Sequence, residues 1–243
     1  MRSLFPDLHP RDWSDDPLHQ TLGQLRDIQS KVDKETSTAL HNWSVFHWST
    51  RFKLEAAEYH AKVIRHINRT PVNDEEDTVH YRLRHWQFDE FFFQLIGAFD
   101  TLLQEINALY KLGLNTKKVN WKTIEKAANQ SQFRSLEVIN FLKRQCDEPW
   151  LVEVGNFRNA STHRHFAPFT TGKPHVGSIS KFTCHVNWAG FRDTKLAEAH
   201  RDDMRQLPEV CEDFLAKASE MFFECRRLMS EECPKAMSKG ASP

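Results

Sequence analysis

Apolar residues recur at three- and four-residue steps along most of this chain, the period of an α-helix rather than of a strand. Leu18, Leu22, Leu25, Ile28 and Val32 form a first stripe, predicting a helix from Leu18 to about Asp33. Leu40, Trp43, Val45/Phe46, Leu54, Ala57, Ala61, Ile64 and Ile67 form a second, predicting a longer helix from about Ser37 to Ile67 that stops before Pro71. A third stretch, Thr78 to Leu112, carries Leu83, Trp86, Phe88, Phe91, Phe92, Leu95, Phe99, Leu102, Leu103, Ile106 and Leu109 around much of its circumference, with Gly113 as its stop. A helix apolar on most sides belongs in the middle of a bundle. The acidic run Asn73–Asp77 ahead of it suits the positive end of the helix dipole.

The remaining pattern is shorter in period and more broken. Helices are predicted over Trp121–Ala128 and Gln132–Gln145, and over Trp150–His165 with Pro149 opening the first turn, where proline is tolerated. Residues 166–191 change character: three of the eight glycines fall there among the β-formers Val176, Ile179, Phe182, Thr183 and Val186, which reads as a loop with a small hairpin. A short helix from Lys195 to Gln206 and a last one from Pro208 to Met229 complete the series. Residues 1–17, cut by Pro6, Pro10 and Pro17, read as an irregular arm, and 231–243 as a polar, disordered tail. The expected architecture is all-α: an antiparallel helical bundle over 18–230, with an inserted loop or small hairpin at 166–191 between the last helices.

Composition supports helices and narrows the function. Eight glycines and ten prolines in 243 residues fall well below the usual combined share of about 12%, which disfavours β-sandwiches and glycine-rich nucleotide loops. No G-x-x-x-x-G-K-[ST], G-x-G-x-x-G or G-x-S-x-G occurs, and no Glu-x-x-His of the kind a ferritin-like di-metal bundle requires. Thirty-three basic residues balance thirty-three acidic ones, so any anionic partner is held locally rather than by bulk charge. The most apolar window, Phe91–Phe99, is stopped by Asp100, too short to span a membrane. Five cysteines without a C-x-x-C, and no secretory signal, predict reduced thiols in the cytoplasm; the sequons at Asn42, Asn68, Asn129 and Asn159 then carry little weight.

Chemistry concentrates in Gly155-Asn156-Phe157-Arg158-Asn159-Ala160-Ser161-Thr162-His163-Arg164-His165. Arg and His separated by four to six residues also occur at Arg2/His9 and Arg158/His165, so spacing alone selects nothing. Context does: Asn159 directly follows Arg158, and the run lies on a late helix. On a helix Asn159 and His163 share a face, whereas Arg158 and His163 leave it roughly 140° apart. They serve one groove only if Arg158 reaches round the helix or a second copy of the chain supplies the facing half.

This run resembles the hallmark of the HEPN superfamily, all-helical ribonuclease and nucleotide-binding domains with an R-x4-6-H motif, commonly with Asn, Asp or His after the Arg. The resemblance implies a homodimer whose two motifs face one cleft, and an acidic residue on an earlier core helix, for which Asp100 is the candidate. The implied activity is metal-independent RNA cleavage without a cofactor. A histidine near neutral pKa, His163, would move the proton and a forked cation, Arg158, would steady the phosphate charge. Asn159 and Asp100 would position them. RNA is the implied partner, with an antitoxin or other regulatory protein as a second.

Other readings stay open at this level. Arg158 could pair with Glu153 or Asp100 in a structural ion pair, and the domain could be a non-catalytic binding module in a defence or toxin–antitoxin system. His163, His165, His175, Cys184 and His185 include the usual zinc ligand types, but match no standard zinc module. Lys117, Lys118, Lys122 and Lys126 form a modest basic strip that could guide RNA or simply face solvent.

Overall fold

The computed structural model describes residues 33–69, 74–130, 132–162, 169–172, 183–186 and 206–239. The N-terminal arm, the Leu18–Asp33 helix apart from Asp33 itself, most of the 166–191 insertion and the Lys195–Gln206 helix up to residue 205 lie outside them. The fold class is all-α: among the described residues are six α-helices, α1 (Lys34–Arg69), α2 (Asp74–Leu109), α3 (Trp121–Asn129), α4 (Glu137–Cys146), α5 (Pro149–Thr162) and α6 (Leu207–Lys239). Between α5 and α6, β1 (Phe169–Gly172) pairs antiparallel with β2 (Thr183–Val186), Thr171 opposite Cys184 and Thr170 opposite His185, the small hairpin expected there. No helix among the described residues is long and apolar enough to cross a membrane.

Packing resolves into two compact units. Of the described residues, one gathers Leu54–Ile96 and Val152–Lys217, the other residues up to Lys53, Gly97–Leu151 and those from Ala218 onward. The long helices α1, α2 and α6 contribute to both.

The first unit is built around aromatic rings. Phe157 of α5 stacks on Phe92 of α2 with centroids 4.2 Å apart and planes 15° from parallel, and meets Phe88 edge-on at 5.6 Å. Phe214 of α6 closes against Phe92 at 5.4 Å. All four are buried, alongside Leu54, Ala57, Ala61, Ile64 and Ile67 of α1. Each such ring contributes about 1.5–3 kcal/mol of apolar burial, and each well-placed ring pair about 0.5–1.5 kcal/mol more. Polar links fix the register: His60 Nδ1 lies 2.6 Å from Gln87 Oε1, Arg65 Nε donates to Glu212 at 2.6 Å, and Asn68 Nδ2 donates to Gln206 at 3.3 Å.

In the second unit the stripe of α1 turns polar. Its inward positions from Leu40 and Trp43 continue through His47, Thr50 and Arg51, whereas Val45 is half exposed and Phe46 only partly covered. The expected Val45/Phe46 step is therefore replaced by His47, four residues on from Trp43. His47 Nδ1 lies 3.3 Å from Glu105 Oε2, both side chains fully buried, and Thr50 hydrogen-bonds Thr101 at 3.0 Å. The partner numbers fall on α2 as they rise on α1, so the two helices run antiparallel here. On α2 the apolar coverage is also narrower than the sequence suggested, with Trp86 and Phe93 largely exposed.

Helix ends follow local chemistry. Asp33 caps α1, accepting from Thr36 N at 2.9 Å, and that bond holds its carboxyl below the usual range. After α2, Lys111 and then Gly113 take positive φ, 48° and 71°, and Asn107 clamps the turn by exchanging two hydrogen bonds with Leu114. Asn120 and Thr123 form a reciprocal capping box on α3.

Two expectations are corrected by one residue. The helix predicted over Gln132–Gln145 is a 3-10 turn, Gln132–Ser135, then an extended Leu136, then α4. Leu136 offers no side-chain cap. Glu232 provides one instead, its carboxylate accepting from the backbone N–H of Glu137 at 2.6 Å and of Val138 at 3.4 Å. That anchor also explains why α6 does not end at Met229 but runs to Lys239, so most of the predicted disordered tail is helical. Burial pushes the Glu232 carboxyl up, partly opposed by these hydrogen bonds.

Glu232→Ala should cost about 1 kcal/mol, the typical worth of a cap, read as a lower urea midpoint at unchanged slope. Glu231→Ala, which removes only a surface partner of Arg227, should stay within about 0.5 kcal/mol of the parent.

Candidate functional site

The run singled out in the sequence closes α5. Val154 and Phe157 are buried, and the stacked ring of Phe157 fixes how α5 is rotated about its axis. Positions 158 and 159 follow it in the helical backbone. Arg158 and Asn159 thus stand near the C-terminal end of α5 in the first unit, while His163 lies outside the described residues. Asp100 is an exposed residue of α2 that falls in the second unit.

The first unit also contains polar residues that the sequence pattern did not single out. His80, Arg84 and His85 of α2 are all buried, Arg84 completely. They occupy the same inward face as Phe88, Phe91 and Phe92, because positions 80, 84, 88 and 91 succeed one another by about a turn. The available signal was the spacing: a stripe traced through apolar residues alone passes over an arginine and a histidine standing on it. Burial pushes His85 down to about 4, leaving a neutral imidazole at pH 7, with Tyr81 edge-on at 4.5 Å. Asp89, half-buried on the next turn, is pushed up to about 6 by desolvation and by the neighbouring Glu90.

The remaining candidates are accounted for more plainly. Lys117, Lys118, Lys122 and Lys126 are exposed around the short 3-10 turn Thr116–Lys118 and on α3, as a solvated face would be. Cys184 and His185 sit on β2, while His163, His165 and His175 lie outside the described residues. No group of three or more His, Cys, Asp or Glu among the described residues could hold a metal ion. Cys146, Cys211 and Cys225 are free thiols; burial pushes Cys146 up to about 12 and raises the other two as well, so none is a ready nucleophile near neutral pH.

A family model described as HEPN-like matches residues 43–217, well over half of the chain and the whole of α2 through α5. No curated protein and no solved structure matches the chain.

His85 and Asp89 have opposite linkage. Between about pH 6.5 and 4 the unfolded state protonates His85 and the folded state does not, so this residue lowers stability as pH falls. Between about pH 6 and 4 the folded state holds the Asp89 proton and the unfolded state does not, so this one raises stability as pH falls. Urea titrations across that range should therefore show a shallower acid loss for His85→Gln and a steeper one for Asp89→Asn; equal slopes in all three proteins would contradict both assignments.

Proposed function

The chain belongs to the HEPN family, and from that premise we propose that it is a metal-independent endoribonuclease acting as a homodimer. The observation that carries this reading is the uninterrupted Arg158-Asn159-Ala160-Ser161-Thr162-His163 run inside the matched region, whose residues up to Thr162 belong to α5. The 2′-hydroxyl of the RNA attacks the adjacent phosphorus. The 2′-oxygen–phosphorus bond forms, the bond to the 5′-oxygen breaks, and a cyclic phosphate and a free 5′-hydroxyl result. His163 takes the proton from the nucleophile, and an imidazole in its acid form returns one to the leaving oxygen.

Arg158 forks onto the non-bridging oxygens, where charge accumulates. Asn159 orients the phosphate and the imidazole. A five-residue step at the helical period corresponds to about 140°, so in this reading two copies facing across a cleft give each phosphate an arginine and two imidazoles. An antitoxin or regulatory protein would act by covering that cleft.

RNA cleavage should persist in EDTA, leave DNA intact, and fall about 10²- to 10⁴-fold in His163→Ala, the usual contribution of a general acid–base group. Loss of cleavage with chelator, or full activity in His163→Ala, would overturn the reading. A stable dimer that binds RNA yet cuts none would point instead to a non-catalytic binding module.

A further inference from the structure

Arg84 carries a charge that the described structure leaves unanswered. Its side chain is fully buried in the inward face of α2, and Nε, Nη1 and Nη2 all lack a hydrogen-bond partner. A guanidinium cannot shed its proton to escape burial, unlike a lysine or histidine. Buried charges are ordinarily paired, and an unpaired one is among the most costly features a core can contain. Asp89 does not pair with it: five residues along, it leaves α2 about 140° away, and its carboxyl is raised by burial and Glu90 rather than held down by a cation.

The surroundings specify what would satisfy it. Arg84 lies one turn before Phe88, whose ring meets Phe157, the residue preceding Arg158. Arg84 therefore stands one turn along α2 from the ring cluster that holds α5, within the same unit. His85 beside it is neutral at pH 7, so Arg84 contributes one fixed positive charge. Five N–H groups on three vacant nitrogens exceed what a single carboxylate fork takes up, whereas a phosphate group presents several acceptor oxygens to the same plane. A phosphodiester carries a single negative charge, equal and opposite to that of the guanidinium.

We propose that Arg84 is a phosphate subsite, holding a phosphate of the bound nucleic acid or nucleotide other than the one at which cleavage occurs. Only the identity of the phosphate's carrier rests on the ribonuclease reading; the subsite itself rests on the buried charge. The site is closed in this structure, so entry of a phosphate requires the covering side chains to part, and association should be slower than a diffusional encounter.

The test uses the full chain and three probes at matched ionic strength: inorganic phosphate, adenosine 5′-monophosphate and an uncleavable 2′-O-methyl hexaribonucleotide. Wild-type melting temperature should rise saturably with a phosphate-bearing probe and not with chloride. Arg84→Met, similar in length and uncharged, should melt at or above the wild-type temperature without probe and bind at least about tenfold more weakly. Arg84→Lys, which keeps the charge without the fork, should retain part of the response.

Saturation by the hexamer at far lower concentration than by the monophosphate would assign the subsite to RNA, and the reverse to a free nucleotide. A wild type indifferent to all three probes overturns the proposal even if Arg84→Met fails to fold, as does an unchanged response in Arg84→Met. Cleavage and probe binding fail separately: loss of cleavage in His163→Ala with intact Arg84-dependent binding supports both proposals, whereas binding that depends on Arg84 in a chain that cuts no RNA removes only the ribonuclease reading.

Discussion

The placement of Phe157 is the constraint on which the candidate site depends. Its ring stacks on Phe92 and meets Phe88 and Phe214 edge-on, so two other helices hold one side chain. A helix secured at one buried aromatic can still slide, but Val154, also buried, lies one turn earlier on the same face. Together they fix both the rotation and the register of α5. The next two positions, 158 and 159, follow in the same helical backbone. The backbone that carries Arg158 and Asn159 is thus placed by hydrophobic packing, and mutations in the ring cluster would reach it without touching it.

Polar residues refine what packing alone leaves loose. A pair of apolar helices can shift by a turn against each other at modest cost, because one leucine resembles the next. The His47–Glu105 contact and the Thr50–Thr101 bond do not tolerate such a shift: a slip of one turn would leave buried polar groups unmatched. In the second unit they therefore define the antiparallel register of α1 and α2. The trans cap supplied by Glu232 does the same for α4 and α6, joining residues nearly a hundred positions apart in sequence. Specificity of this kind costs desolvation where the groups are buried, as at His47 and Glu105.

How much of this was legible in the sequence depended on whether the signal was local. Helical period, the Pro149 start, the Gly113 stop and the hairpin between Phe169 and Val186 are written within a few residues, and the structure has them close to the expected positions. The Arg158–Asn159 run is equally local, and its place near the end of α5 follows from the pattern around Phe157. What the pattern missed is non-local. Nothing near Leu136 announces that a glutamate 96 positions later caps the next helix, and nothing near Met229 announces that the same contact prolongs α6. Likewise His47, Arg51 and Arg84 have the right spacing for the buried stripe but the wrong chemistry for a stripe defined by apolar residues. The division of the long helices between two units left no mark on their periodicity, because a helix keeps its period whichever neighbours it packs against.

A helical scaffold poor in glycine has limited means of holding an anion. Phosphate-binding loops work by aiming several backbone N–H groups at one point, which requires glycine where the chain turns back on itself. Inside a helix those N–H groups are committed to the i−4 carbonyls, leaving side chains as the available donors. Arginine is the side chain that most closely replaces such a loop, since its rigid fork presents several donors in one plane and its charge does not depend on pH. In a chain of zero formal charge carboxylates as numerous as the basic residues compete for those arginines. Complete burial removes that competition: Arg84 lies where no described carboxylate reaches its nitrogens. A neutral, all-helical protein can in this way reserve a cation for a phosphate, at the expense of stability in its absence.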